Sequence, residues 1–142
     1  VYKRQVVTHP GLAAISIIDL DDLSVKGTVN TGPGPEYSVF DPRSGHFFVS
    51  NAGNSTISAV DPRRGIVVRN IVLDNGPEHL AFDAEAGLIF AAEADNGTVS
   101  VIDAASGDTR QRYEVGGKQD YNKSVNAWQS WKNYSRLFCS EN

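Results

Sequence analysis

The side chains best suited to chemistry in this sequence fall at two positions that recur along the chain. One position holds a glutamate followed by an aromatic or imidazole ring, and the other ends an apolar run with an imidazole, an amide or a carboxylate. These side chains are Glu36 with Tyr37, Glu78 with His79, and the trio His9, Asn51 and Glu93. If they converge from neighbouring units, such groups could hold a divalent cation or activate a water molecule.

The same residues also have a structural interpretation. A side chain that recurs at one repeat position is more typical of a turn that the fold needs than of catalysis. On this interpretation Glu36 and Glu78 close the turn between units, and the others are solvated. The sequence contains no Gly-x-Ser-x-Gly, P-loop or Gly-x-Gly-x-x-Gly motif, and its Ser, His and Asp residues show no triad spacing. The residues therefore leave the metal, the cofactor and enzymatic activity open.

An internal repeat of 42 residues positions these side chains. Residues 32–73 align with residues 74–115 without a gap, and 13 of the 42 pairs are identical. Residues 6–31 form an earlier, partial copy. A repeat of this length, built of short apolar runs and turn residues, is typical of a β-propeller blade with four antiparallel strands. We therefore predict an all-β fold of about two and a half blades, which is an incomplete ring.

Each full copy divides into four apolar runs separated by turns. The runs predict strands at 37–40, 46–50, 56–60 and 67–73, and then at 80–82, 88–92, 99–102 and 109–115. Four turns share the pattern Asp-x-x-x-Gly, in which the aspartate accepts backbone N–H groups and the glycine supplies a positive φ. They begin at Asp41, Asp61, Asp83 and Asp103. The turn at Asp19 lacks the glycine, so we expect it to differ.

Three short motifs resemble one known family of repeats. Phe48-Val-Ser-Asn51, Thr56-Ile-Ser-Ala-Val-Asp61 and Val99-Ser-Val-Ile-Asp103 are similar to the YVTN family of β-propeller repeats. The likeness implies a propeller, often of about seven blades, that is usually extracytoplasmic and prokaryotic. It does not imply a single activity, because relatives with similar repeats include surface-layer proteins, lactonase-like hydrolases and haem d1-type oxidoreductase domains.

The composition restricts the classes of partner. The net charge is −4 over 142 residues, and Lys and Arg form no cluster. This balance argues against a surface for nucleic acid or for anionic membranes. No apolar run approaches the ~18 residues of a transmembrane segment. The single cysteine, Cys139, excludes an internal disulfide.

Both ends of the sequence depart from the repeat. Residues 1–5 resemble a translated adapter remnant, and we assign them to a non-native leader. Residues 116–142 lack the Gly-x-x-Pro-Glu that should open another blade, and apolar residues three to four apart predict an amphipathic helix at 124–138. An insertion, a capping helix and a frame-shifted end all remain open as its origin. The remaining blades of a parent chain, or self-association, would cover the two open blade faces.

These observations lead to one expected function and one alternative. We expect a non-enzymatic β-propeller scaffold that is periplasmic, secreted or on the cell surface, and that binds a protein or small-molecule partner on its loop face. The alternative is part of a propeller enzyme, either a lactonase-like hydrolase or a haem d1-type or periplasmic oxidoreductase. Non-repeating His, Asp or Glu residues on the loop face of further blades would favour the enzyme.

Overall fold

The computed structural model describes residues 3–115, which form three antiparallel β-sheets. Sheet 1 contains β1 (Arg4–His9), β2 (Ala14–Asp19) and β3 (Val25–Asn30). Sheet 2 contains β4 (Pro35–Asp41), β5 (His46–Asn51), β6 (Thr56–Asp61) and β7 (Ile66–Val72). Sheet 3 contains β8 (Pro77–Asp83), β9 (Leu88–Glu93), β10 (Thr98–Asp103) and β11 (Thr109–Glu114). Each sheet is a meander of consecutive strands, which confirms the predicted blades of an incomplete β-propeller.

The strand ends differ slightly from those predicted. β4 begins at Pro35 because this residue pairs with Asn51, and a proline is tolerated at the first position of a strand. The predicted leader ended at residue 5, whereas Arg4 and Gln5 continue the antiparallel ladder of β1 with β2. Residues 116–142, with the predicted helix at 124–138, lie outside the described residues. Within residues 3–115, no helix is long and apolar enough to cross a membrane.

The core consists of two apolar layers, one between each pair of neighbouring sheets. In β5 the consecutive residues Phe47 and Phe48 enter different layers, because successive side chains of a strand point to opposite faces. Sheet 2 is therefore covered on both faces, which explains why β5 is apolar almost throughout. Burying one such phenylalanine contributes about 1.5–3 kcal/mol to the free energy of unfolding.

The four Asp-x-x-x-Gly turns share one geometry. In each, the glycine N–H donates to the aspartate carbonyl at 2.7–2.9 Å. The Oδ1 of each aspartate accepts the N–H two residues later at 2.9–3.0 Å. The glycines adopt φ values between 67° and 82°. The Asp19 turn keeps the bond from the Asp21 N–H to Asp19 Oδ1, and Leu23 takes the left-handed position with φ 57°. The Asp19 turn therefore differs from the other four in having a leucine, and not a glycine, in the left-handed conformation.

Candidate binding face

The strand pairing places the ends of the three sheets at two opposite faces. Pro35 pairs with Asn51, and Pro77 pairs with Glu93, so the segments that enter β4 and β8 lie beside the ends of β5 and β9. We call this end the loop face; it comprises residues 9–14, 30–37, 51–56, 72–79 and 93–98. The opposite end, which carries the turns that begin at aspartate, is the turn face. All seven residues singled out from the sequence lie at the loop face.

The two recurring glutamates lie in β-bulges. The ladder between the first and second strands is interrupted at Glu36–Tyr37 in sheet 2 and at Glu78 in sheet 3. A hydroxyl from the preceding sheet holds the backbone there: Thr8 Oγ1 donates to the Glu36 carbonyl and Ser50 Oγ to the Glu78 carbonyl, each at 3.3 Å. The backbone of both glutamates therefore links neighbouring sheets, as the structural interpretation requires. The side chain of Glu36 is exposed, whereas that of Glu78 is partly buried.

An aromatic pair joins sheets 2 and 3 beside these bulges. The rings of Tyr37 and His79 have centroids 5.2 Å apart and an interplanar angle of 37°. Tyr37 and Glu36 are both exposed. Glu78 is partly buried, and its Oε2 has no hydrogen-bond partner among the described residues. Each ring of this pair thus follows a glutamate in the chain, Glu36 before Tyr37 and Glu78 before His79.

The trio at the second recurring position has a common internal contact. Each member meets a serine seven residues further along; the pairs are His9 with Ser16, Asn51 with Ser58, and Glu93 with Ser100. Ser100 Oγ donates to a carboxylate oxygen of Glu93. Asn51 and Glu93 are both buried, so neither reaches a ligand at the surface without a conformational change. The recurring serine was the signal in the sequence that would have revealed this structural contact.

Asn51 and Glu93 differ at the side-chain polar atom that does not contact the serine: Glu93 Oε2 accepts a hydrogen bond, and Asn51 Oδ1, among residues 3–115, does not. The Asn75 N–H donates to Glu93 Oε2 at 3.1 Å. The equivalent residue in the previous repeat is Pro33, which has no N–H to donate. Asn51 Oδ1 is accordingly buried without a hydrogen-bond partner in the described part of the chain. An orphaned buried acceptor of this kind costs about 1–3 kcal/mol.

Two arginines that the sequence did not single out link sheets 2 and 3 at the turn face. The Arg43 guanidinium donates to the carbonyl of Glu85. The Arg69 guanidinium donates to the carbonyls of Ala104 and Ala105 at 2.8 and 2.9 Å. Both arginines line a cleft of about 540 Å³, together with His46. Because their N–H groups bind backbone carbonyls, we assign both arginines to the packing of one sheet on the next.

Two aspartates of the turn face, Asp61 and Asp103, have lowered pKa values. Backbone N–H donation from Ser106, with a hydrogen bond from Arg110, lowers the pKa of Asp103. Burial alone would raise the pKa of Asp61, but the backbone N–H groups of Arg63 and Arg64 outweigh it, and the net shift is downward. These carboxylates act as acceptors that hold the turns, which is their predicted structural role.

The loop face differs from the turn face in its lack of basic residues. The five loop-face segments contain no Lys or Arg, while they include Glu36, Asp74, Glu78, Glu93 and Asp95. Arg112 of β11 reaches the edge of this face and pairs with Asp74. The loop face is therefore acidic overall and should attract cationic groups. Within residues 3–115, no three His, Cys, Asp or Glu residues are grouped closely enough to hold a metal ion.

Comparison with known proteins places this geometry in a fold class. Hydrazine synthase from Kuenenia stuttgartiensis superposes with a TM-score of 0.72 and 19% identity, over 78% of this chain and 32% of that chain. Apo AztD from Citrobacter koseri gives 0.68 and 15%, over 81% and 32%. A second structure of Citrobacter koseri AztD gives 0.68 and 14%, over 81% and 33%. The chain thus spans about a third of each of these propeller-type proteins, and identities this low show the fold alone.

The sequence comparisons are less specific. No protein-family profile matches the chain, and no curated protein matches it. The three sheets and their structural likenesses support a β-propeller. The YVTN assignment, which rests on short motifs, stays a prediction.

Proposed function

We propose that the chain is part of a β-propeller scaffold whose loop face binds a partner that carries cationic groups, without catalysing a reaction. The observation that carries this proposal is the ring pair of Tyr37 and His79, next to the exposed Glu36 in the chain, on a face whose loops contain no Lys or Arg. A carboxylate forms charge-assisted hydrogen bonds with ammonium or guanidinium groups, and a tyrosine ring attracts them through its π face. The partner is either a basic protein surface or a small molecule with an amine.

The internal contacts of the other predicted residues support binding over catalysis. Asn51 and Glu93 form hydrogen bonds to serines of the neighbouring strand and are buried. Their polar groups are thus used to hold the sheets. Glu36 and Tyr37 are exposed instead, as residues of a recognition surface are.

A location outside the cytoplasm belongs to the same proposal. It rests on the resemblance of the motifs around Phe48 and Val99 to the YVTN repeats. Cell fractionation of the source organism, followed by immunoblotting of the parent protein, tests it. Recovery in the periplasmic, secreted or surface fraction is expected, and recovery with the cytoplasmic fraction would contradict it.

Titration of the isotope-labelled chain with a lysine tetrapeptide tests the binding proposal. We expect saturable NMR shifts at the backbone amides of Glu36, Tyr37 and His79 that weaken as salt is added. The double variant Glu36→Gln, Glu78→Gln should weaken binding about two- to thirtyfold, because each of the two charge pairs contributes about 0.2–1 kcal/mol. Glu85→Gln on the turn face is the matched control and should leave binding unchanged. Equal weakening by the control, or an absence of shifts at the loop face, would contradict the proposal.

The same titration distinguishes the scaffold from the enzymatic alternative. Ca²⁺ alone, added in place of the peptide, reports whether the two glutamates hold a metal ion. Saturable shifts at Glu36 and Glu78 with Ca²⁺, lost in the double Gln variant, would favour a metal-assisted site. Shifts with the peptide alone support a scaffold that recognises organic cations.

A further inference from the structure

Two asparagines of the sequence are followed by glycine, in the pairs Asn75-Gly76 and Asn96-Gly97. In such a pair the backbone nitrogen of the glycine can attack the amide carbon of the asparagine side chain, because glycine has no Cβ to obstruct a close approach. The product is a succinimide ring, and the side-chain nitrogen leaves as ammonia. Water then opens the ring to aspartate or isoaspartate, so the net reaction exchanges one amide for one carboxylate.

Asn96 has the surroundings that this reaction needs. It is exposed in the loop that joins β9 to β10. Thr98 donates twice to Asn96 Oδ1, from its backbone N–H at 3.2 Å and from its hydroxyl. Attack on the side-chain carbonyl carbon places a negative charge on that same oxygen. The two donors therefore already lie where the charge develops, as they do in an oxyanion hole.

The other Asn-Gly pair is held more tightly. Asn75 is partly buried, and its backbone N–H donates to Glu93 Oε2 at 3.1 Å. A Cβ on Gly76 would lie 2.5 Å from the carbonyl oxygen of Ala52, so the glycine backbone is packed closely against that loop. Movement of the Gly76 nitrogen towards the Asn75 side chain would disturb these contacts. We therefore expect Asn75 to react much more slowly than Asn96.

Sheet 2 contains a counterpart of Asn96 that differs from it at the following residue. Asn54 is exposed at the same repeat position, and the Thr56 hydroxyl donates to its Oδ1 at 2.8 Å. The next residue is Ser55, whose φ of 56° is close to the 65° of Gly97. The two loops thus share a left-handed residue and a hydroxyl donor, and they differ in a Cβ beside the attacking nitrogen. Asn54 is therefore an internal comparison for the effect of that Cβ.

We propose that Asn96 is a site of spontaneous deamidation, in which Gly97 supplies the nucleophile and Thr98 stabilises the developing oxyanion. The Gly97 nitrogen loses its proton to hydroxide and forms a bond to Cγ of Asn96. The bond from Cγ to Nδ2 then breaks, and the leaving nitrogen takes a proton from water, which regenerates hydroxide and releases ammonia. Hydrolysis of the succinimide adds a negative charge to the acidic loop face. Where isoaspartate forms, it also adds one methylene group to the backbone of this loop.

Incubation of the folded full chain at mildly alkaline pH, followed by proteolysis and tandem mass spectrometry, tests the proposal. The mass of each fragment identifies the asparagine that has reacted, and chromatography separates aspartate from isoaspartate peptides. We expect Asn96 to react about tenfold or more faster than Asn75 and Asn54, because small displacements of reacting atoms change rates on that scale. The rate should increase with pH, because hydroxide removes the proton of the attacking nitrogen. Asn96 that stays intact, or that reacts no faster than Asn75, would overturn the proposal.

Three variants separate the roles of the glycine and the threonine. Thr98→Val keeps the β-branched shape and loses the hydroxyl. It should slow the reaction at Asn96 about five- to tenfold, because a hydrogen bond to a charged acceptor is roughly twice as strong as one to a neutral acceptor. Thr56→Val is the matched control and should leave the rate at Asn96 unchanged. Ser55→Gly should make Asn54 react at a rate comparable to that of Asn96.

Circular dichroism verifies that each variant is folded before incubation, and Thr98→Ala replaces Thr98→Val if the latter unfolds. A Thr98→Val chain that deamidates as fast as the wild type would show that the hydroxyl does not stabilise the oxyanion. A Ser55→Gly chain in which Asn54 stays intact would contradict the assignment of the missing Cβ as the feature that makes Asn96 reactive.

Discussion

Leu23 offers a direct measurement of the strain held in one turn. It adopts φ 57° at the position where the four other turns have glycine with φ between 67° and 82°. A residue with a Cβ pays about 1–2 kcal/mol for the left-handed conformation. Leu23 is 76% exposed, so its side chain contributes little packing to offset that cost. Leu23→Gly should therefore relieve strain with little loss of contact.

The expected gain is smaller than the strain itself. Glycine loses more backbone entropy on folding than leucine, which costs about 0.5–1 kcal/mol. The net stabilisation by Leu23→Gly should be about 0.5–1 kcal/mol, which raises the melting midpoint by a few degrees in a domain of this size. Urea unfolding monitored by circular dichroism measures the change in the free energy of unfolding.

Two further variants make the measurement specific. Gly65→Ala should destabilise the chain by about 1 kcal/mol, because Gly65 has φ 67° and no described atom lies within 4 Å of its Cβ position, which leaves backbone strain as the cause. Leu12→Gly removes an equally exposed leucine outside the positive-φ positions, so it should destabilise. If Leu23→Gly lowers stability as Leu12→Gly does, the argument from strain is wrong.

Three other predictions follow from buried polar contacts and from the turn aspartates. Ser100→Ala removes the hydroxyl that donates to buried Glu93 and should cost about 1–3 kcal/mol in urea unfolding. Arg69→Met removes two guanidinium bonds to carbonyls of sheet 3 and should also lower the free energy of unfolding, by about 1–3 kcal/mol. The pKa values of Asp61 and Asp103 are lowered in the folded chain. Their contribution to the free energy of unfolding is therefore complete above the pKa of an unfolded aspartate, about 3.9, and is lost as pH falls through the pKa values of the folded chain. Urea unfolding between neutral and acidic pH should therefore show stability falling below about pH 4, with a shallower fall in Asp103→Asn.

Each of these three predictions has a control variant or a result that would contradict it. Ser106→Ala alters an exposed serine on a turn and should have a smaller effect than Ser100→Ala. Arg63→Met alters an exposed arginine of the turn face, and equal losses at Arg63 and Arg69 would contradict the assignment of Arg69 to sheet packing. A stability that stays constant or increases as pH falls would contradict the assignment of Asp61 and Asp103 as charged acceptors.

The fold was predictable because two independent patterns agree. The 42-residue offset places Phe48 over Phe90 and Asp61 over Asp103, and each apolar run has the length of one strand. The alternation of Phe47 and Phe48 between two layers requires a sheet covered on both faces. The bulge at Glu36 was not predictable, because it depends on which backbone hydrogen bonds form between β4 and β5.

The sequence predicted the face at which the candidate residues lie, but not whether their side chains are buried. Antiparallel pairing dictates that His9, Asn51 and Glu93 end their strands at the same face as Glu36. Whether a side chain at a strand end points to solvent or into the sheet depends on a partner across the sheet. For Asn51 and Glu93 that partner is a serine on the next strand, and this partnership turns candidate ligands into structural residues.

The trio shows why one repeat position can hold an imidazole, an amide or a carboxylate. The shared requirement is a contact with the serine seven residues later, which all three side chains can make. The second polar atom depends on the preceding loop: Asn75 supplies an N–H to Glu93, whereas Pro33 supplies none to Asn51. Side-chain variety at this position therefore reflects local hydrogen-bond supply, and it does not by itself indicate chemistry. Glu36 and Tyr37 are held through their backbone and exposed at their side chains, which makes them the residues at which a partner should first be sought.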